Sequence, residues 1–224
     1  MNEASMNFEF SSIPVELIWR NCILDTVVHA LQNCIYPYFD YEKSWSNSNF
    51  SINNSEGVRA TITFYNNVVL IGIRDESLEN HFGFSDDNDL VRNAPDMIKR
   101  IANDYTLQYL LVDENNKTLP AITAFLWITD AKAVSKQKLS DLLVSGYKSI
   151  SYIFLSIDEL IEYWRERYEF SDKQIDLVFE IYDIFMRKPN LTVSFSSVLI
   201  QNKFGYVVTK ECKETFSEIG ILLE

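Results

Sequence analysis

The sequence predicts an α+β fold: an N-terminal helix, an antiparallel four- to five-stranded sheet with helices on one face, then a helical C-terminal region. Three observations predict it. Residues 12–35 carry apolar side chains at helical spacing, residues 58–73 alternate like paired strands around Asn66-Asn67, and two capping boxes open helices in the last third.

The first helix has Ser11 or Ser12 as its cap, Pro14 in its first turn, and Glu16 at the positive end of its dipole. Val15, Ile18, Trp19, Cys22, Ile23, Thr26, Ala30 and Cys34 form its apolar stripe, and Pro37 stops it. The aromatic and polar segment from Tyr36 to Asn54 reads as a loop entering a strand. In the next run Val58, Ala60, Ile62 and Phe64 alternate with Arg59, Thr61, Thr63 and Tyr65, and Val68 to Ile73 follows. Asparagine tolerates the positive φ of a tight hairpin, so the two runs are predicted to pair.

Ser85-Asp86-Asp87 caps a helical stretch that Pro95 interrupts, with a fresh start near Asn93 running to Asp104. Leu107–Val112 and Leu119–Ile128 are predicted as a second hairpin extending the same sheet. Residues 131–144 are predicted as a helix ending at Gly146, and residues 149–154 as a short strand. Ser156-Ile157-Asp158-Glu159 and Ser171-Asp172-Lys173-Gln174 are the capping boxes; the second helix runs to about Arg187, ahead of Pro189. Short helices over 196–203 and 209–219, with a turn at Gly205, complete the chain. The character changes near residue 150, so 1–150 is read as a sheet-containing region and 151–224 as a helical region packed on it, in two parts or one continuous domain.

An apolar fraction of 47% excludes a disordered tail, and six Gly and five Pro exclude collagen and low-complexity linkers. The formal net charge is −12, which repels nucleic-acid phosphate and anionic membranes, so neither is an expected partner. The opening Met1-Asn2-Glu3-Ala4-Ser5 has no basic or apolar region of the kind a signal peptide carries, so none is expected, and apolar runs such as Ala121–Ile128 fall well short of the roughly 20 residues that span a bilayer. Cys22, Cys34 and Cys212 are an odd, sparse set that fits a reducing cytoplasm.

No catalytic, cofactor or metal motif emerges. There is no C-x-x-C, no H-x-x-x-H, no phosphate-binding loop and no G-x-S-x-G. His29 falls on the stripe of the first helix about two turns from Cys22, roughly 10 Å along the axis, too far for a nucleophile–base pair; it is expected to be structural. His81 is expected in an exposed loop. Asp86-Asp87-Asn88-Asp89 resembles half a calcium loop but lacks the closing Glu, so helix capping is the expected role.

The charge pattern says more. Residues 75–114 hold ten acidic and three basic residues, and residues 158–183 hold nine and three, so two acidic tracts are candidates for one docking face. The candidate partner-binding residues are Asp75, Glu76, Glu79, Asp86, Asp87 and Asp89, with Tyr38, Tyr41 and Trp45 from an aromatic, polar segment of binding-loop composition. The expected function is that of a small acidic cytoplasmic protein that binds a partner protein with a basic surface and neutralises or regulates it. Toxin-immunity proteins do this, and the analogy is one of size, acidity and absent catalytic motifs. The rivals are an enzyme of unrecognised type and a DNA-binding regulator. The second rests on the helix–turn–helix-like stretch around Gly205, where residues 187–213 carry five basic residues and one acidic.

Overall fold

Local turn chemistry lays out the strands. Asn66 and Asn116 have φ of 52° and 62°, the left-handed region that asparagine tolerates better than most side chains, and each lies between two paired antiparallel strands. Asp130 and Ala131 take φ of 50° and 60°, the paired positive values of a primed turn. A computed structural model describes residues 8–37, 43–54, 56–78, 89–114, 116–187 and 191–224. In chain order its elements begin with β1 (Phe8–Ser12), α1 (Val15–Gln32), β2 (Lys43–Ser46), β3 (Asn49–Asn53), β4 (Val58–Tyr65) and β5 (Val68–Asp75). Then come α2 (Asp89–Arg92), α3 (Asp96–Asp104), β6 (Leu111–Glu114), β7 (Lys117–Pro120), β8 (Ala124–Thr129), β9 (Lys132–Ser135) and α4 (Leu139–Leu143). The chain closes with α5 (Ile157–Tyr168), α6 (Asp172–Arg187), β10 (Val193–Phe195), α7 (Ser197–Phe204), α8 (Lys210–Glu218) and β11 (Ile221–Leu223).

The chain divides into two units: residues up to Ile18 with Ser46–Ser151, and Trp19–Trp45 with Tyr152–Glu224. The first holds six antiparallel strands in the order β1-β9-β8-β5-β4-β3. The predicted hairpin of β4 and β5 pairs over its full length, from Val58↔Asp75 to Tyr65↔Val68. Leu70, Phe125 and Trp127 meet Ile98 and Ile101 of α3, and Leu107 and Leu110, in one apolar cluster. The sheet lies so close to this layer that a Cβ on Gly72 would stand 2.8 Å from Leu110 Cδ1. Thr63 Oγ1 donates to Asn49 Oδ1 (2.7 Å) and shares a hydrogen bond with Thr106 Oγ1 (2.8 Å), so the buried hydroxyl is satisfied.

The α+β class stands, and several elements differ from expectation. The sheet is wider than four or five strands, because β1 and β9 extend it. The segment read as a loop entering a strand holds two strands, β2 and β3. Leu107 lies in a 3₁₀ turn over 106–109, and the second hairpin, β6 with β7, is a separate ribbon. Its strand ends at Pro120, which has no N–H to continue a ladder, and β8 pairs with β5 instead. The helix expected over 131–144 is mostly absent, since the Asp130-Ala131 turn folds β9 back on β8 and only α4 remains helical. The strand expected over 149–154 is part of a 3₁₀ helix over 147–154.

In the second unit α1 has no narrow stripe: every residue from Asn21 to Cys34 is buried. A helix buried all round must find partners for its polar side chains. Asn21 Nδ2 donates to the carbonyls of Ile153 (3.0 Å) and Leu155 (2.8 Å). Asn33 Nδ2 donates to Thr215 Oγ1 (3.0 Å), and Trp19 stacks on Phe185 of α6. His29 is buried in this helix, as a structural histidine would be. β10 and β11, not expected from the sequence, form a parallel pair from Val193↔Ile221 to Phe195↔Leu223.

Candidate functional site

Helix α5 presents the clearest exposed chemistry. Its start follows from the capping box. Glu159 N–H donates to Ser156 Oγ (3.4 Å), while Ser156 N–H and Oγ–H donate to Glu159 Oε2 (2.8 and 2.7 Å), which holds the Glu159 carboxyl below its ordinary range. Leu160 and Trp164 face inward and are buried. The opposite side carries Asp158, Glu159, Glu162 and Glu166, all exposed, along an open surface groove of about 690 Å³ that Leu155, Ile161, Tyr163 and Arg165 also line. Arg165 spans Glu162 (2.6 Å) and Asp172 (2.8 Å). Among the described residues Asp158, Glu166, Glu169, Asp176 and Asp183 make no ion pair, so α5 and α6 keep a net negative face.

Tyr163 leads from the groove to a buried ionic cluster. Its ring stacks on Tyr152 (5.3 Å, 9°), and Tyr152 Oη donates to Asp25 Oδ2 at 2.9 Å. The other Asp25 oxygen accepts from Lys43 Nζ at 2.8 Å, and Lys43 also donates to Tyr168 Oη at 3.4 Å. The ammonium lies 5.2 Å from the Tyr152 ring centre and 6.0 Å from that of Tyr168, within cation–π range. Asp25 is 0% exposed and Lys43 7%. Burial alone would pull the Lys43 ammonium down, but Asp25 and the phenol oxygens outweigh it and hold it above its ordinary value. Burial, then the nearby Asp25 charge, pushes the Tyr152 phenol well up, and burial likewise raises Tyr163. A lysine held protonated is not a nucleophile at neutral pH. The cluster therefore acts as a fixed charge pair that positions Tyr163 and strand β2 against the helices.

The expected site residues fall in different places. Asp75 and Glu76 lie together at the end of β5. Asp75 Oδ1 accepts from Ser77 N–H (3.0 Å) and Oγ–H (2.6 Å), and Glu76 faces Arg74 (3.2 Å) and Arg59 (3.7 Å), so both carboxylates have local partners. Trp45 is half-buried in the second unit: its indole N–H donates to Thr26 Oγ1 and its backbone N–H to Glu218, both at 2.7 Å. Asp89 opens α2. Glu79, Asp86, Asp87, Tyr38, Tyr41 and His81 lie outside the described residues. The two acidic tracts belong to different units, 75–114 to the first and 158–183 to the second.

The lysines of the helix–turn–helix reading have acidic neighbours: Lys203 pairs with Glu180, and Lys210 with Glu214 at 3.2 Å. Among the described residues no group of three or more His, Cys, Asp and Glu side chains is placed to hold a metal, and no helix is long and apolar enough to cross a membrane. Sequence reasoning missed Asp25, Lys43 and Tyr152. The one available signal was an aspartate between Leu24 and Thr26 within an apolar helix, a position that demands a buried partner. No family model, curated protein or solved structure matches this chain.

Proposed function

We propose that this chain is a protein-binding protein that docks on a basic surface of a partner and neutralises or regulates it, as toxin-immunity proteins do. The carrying observation is the α5 groove, lined by the four carboxylates Asp158, Glu159, Glu162 and Glu166 together with Leu155, Ile161, Tyr163 and Arg165. Exposed carboxylates favour a cationic partner and speed its approach, while the apolar and aromatic side chains among them supply area that slows its departure. The rigid mounting of α5, capped by Ser156 and backed by the Asp25–Lys43–Tyr152 cluster, keeps this surface preorganised.

The test begins with capture of binding proteins from the native host by the tagged full chain. Association with the captured protein is then measured from low to high salt, for the parent and for Glu162→Lys with Glu166→Lys. The expected result is an association rate that falls steeply with salt and drops about tenfold or more in the double reversal, with little change in melting temperature. Binding indifferent to both salt and the reversal would reject this surface.

A further inference from the structure

Of the three cysteines, two are brought together by the tertiary structure. Thr209 Oγ1 donates to the Asn33 carbonyl (3.0 Å), and Asn33 Nδ2 donates to Thr215 Oγ1 (3.0 Å). Both threonines flank Cys212, one at the cap of α8 and one a turn further on. Their shared partner Asn33 is adjacent in the chain to Cys34, and across this junction the Cys34 and Cys212 thiols hydrogen-bond to each other. Cys34 is 8% exposed and Cys212 is 0% exposed, so an oxidant reaches Cys34 first. Cys22 lies twelve positions before Cys34, about 18 Å away at helical rise, and takes no part.

We propose that Cys34 and Cys212 are a peroxide-responsive thiol pair, with Cys34 the attacking sulfur and Cys212 the resolving one. The oxidant is a hydroperoxide such as hydrogen peroxide. The Cys34 thiolate attacks one peroxide oxygen, the O–O bond breaks, and the departing hydroxide takes a proton to become water, leaving Cys34 as a sulfenic acid. Cys212 then attacks the Cys34 sulfur. The S–O bond breaks, the second hydroxide takes the Cys212 proton, and an intrachain disulfide remains. The pair loses two electrons and the peroxide becomes two waters. The product ties the end of α1 to α8.

The surroundings suit these roles. The Cys212 thiol and the Thr209 backbone N–H at the start of α8 hold the Cys34 thiol below its ordinary value despite burial, whereas Cys34 and burial push Cys212 up. Burial, then the Asp25 charge, pushes the Cys22 thiol up as well, which makes it an internal control.

The experiment uses the reduced full chain, freed of reductant and treated with hydrogen peroxide. Thiols are counted in denaturant, and unreduced peptides are mapped by mass spectrometry. The three free thiols should fall to one, Cys22, with a peptide joining Cys34 to Cys212 that is two hydrogens lighter than its parts and reverts with dithiothreitol. The disulfide should raise the melting temperature by about 5–10 °C. In Cys212→Ser, dimedone should label Cys34. Should that variant fail to fold, the parent peptide map decides alone. Three surviving thiols would overturn the proposal. So would a cross-link through Cys22 or between chains, sulfinic acid at Cys34 without a cross-link, or a cross-link that lowers the melting temperature.

Discussion

Asp25 and Lys43, on α1 and β2, meet at 2.8 Å with almost no solvent access, and Tyr152 closes the far side of the carboxylate at 2.9 Å. Two opposite charges removed from water are tolerable only while each keeps its partner. Lys43→Ala or Asp25→Ala should therefore destabilise the protein by about 3–5 kcal/mol, read from urea midpoints. Lys43→Met combined with Asp25→Leu should recover much of the loss, because no unpaired charge remains. A double variant as unstable as either single one would show that the cluster contributes shape and not charge.

The same cluster sets the behaviour at high pH. The folded state holds Lys43, Tyr152 and Tyr163 above their ordinary values near 10, so it favours the protonated form of each. For a raised group the stabilisation is complete below the unfolded value and is lost as pH rises toward the folded one. Stability should be flat with respect to these groups from neutrality to about pH 9.5, then fall steeply. Phenolate absorbance from Tyr152 and Tyr163 should appear together with unfolding. Smooth tyrosine ionisation in a folded protein near pH 10 would contradict the buried arrangement.

The β4–β5 turn places its positive φ on Asn66, while Asn67 has none. Asn66→Gly should stabilise by up to about 1 kcal/mol by removing left-handed strain, and Asn67→Gly should not. Ile62 is fully buried on β4, so Ile62→Asp should cost several kcal/mol, on the order of 3 or more. Thermal melts of the three variants rank them directly.

Gly72 sits where β5 passes under Leu110, with 2.8 Å left for a Cβ. Gly72→Ala should destabilise by about 1–3 kcal/mol through overpacking, despite alanine's better strand propensity. Gly72→Ala with Leu110→Ala should lose less than the two single effects summed, since the first makes use of the space opened by the second.

Helix α5 ends on Glu169 with φ of 55°, a left-handed cap carrying a negative charge at the negative end of the helix dipole. Glu169→Gly should stabilise by about 0.5–1 kcal/mol, from relieved backbone strain and the removed repulsion. An unchanged melting temperature would indicate that Glu169 makes a compensating interaction in solution.

Chemistry that acts over a few residues can be read directly along the chain. The cap at Ser156, the break at Pro95, and the alternation of β4 and β5 around Asn66 were legible because each involves groups within a turn or a hairpin of one another. The acidic tract over 158–183 was legible as composition, while its gathering of Asp158, Glu162 and Glu166 on one side of α5 follows from their spacing of four on the helix. Where local preference was weak, the tertiary structure decided. Residues 132–135 have ordinary helix formers, yet the Asp130-Ala131 turn puts them beside β8, where the ladder satisfies their backbone. Residues 149–154 read as a strand, but the carbonyls of Ile153 and, just beyond, Leu155 are taken by the Asn21 side chain, 132 and 134 positions away. The Asp25–Lys43–Tyr152 cluster and the Cys34–Cys212 pair belong to this second class. Their members are distant in sequence, and the burial of α1 on every side, which leaves its polar groups no water to turn to, demands partners from elsewhere in the chain.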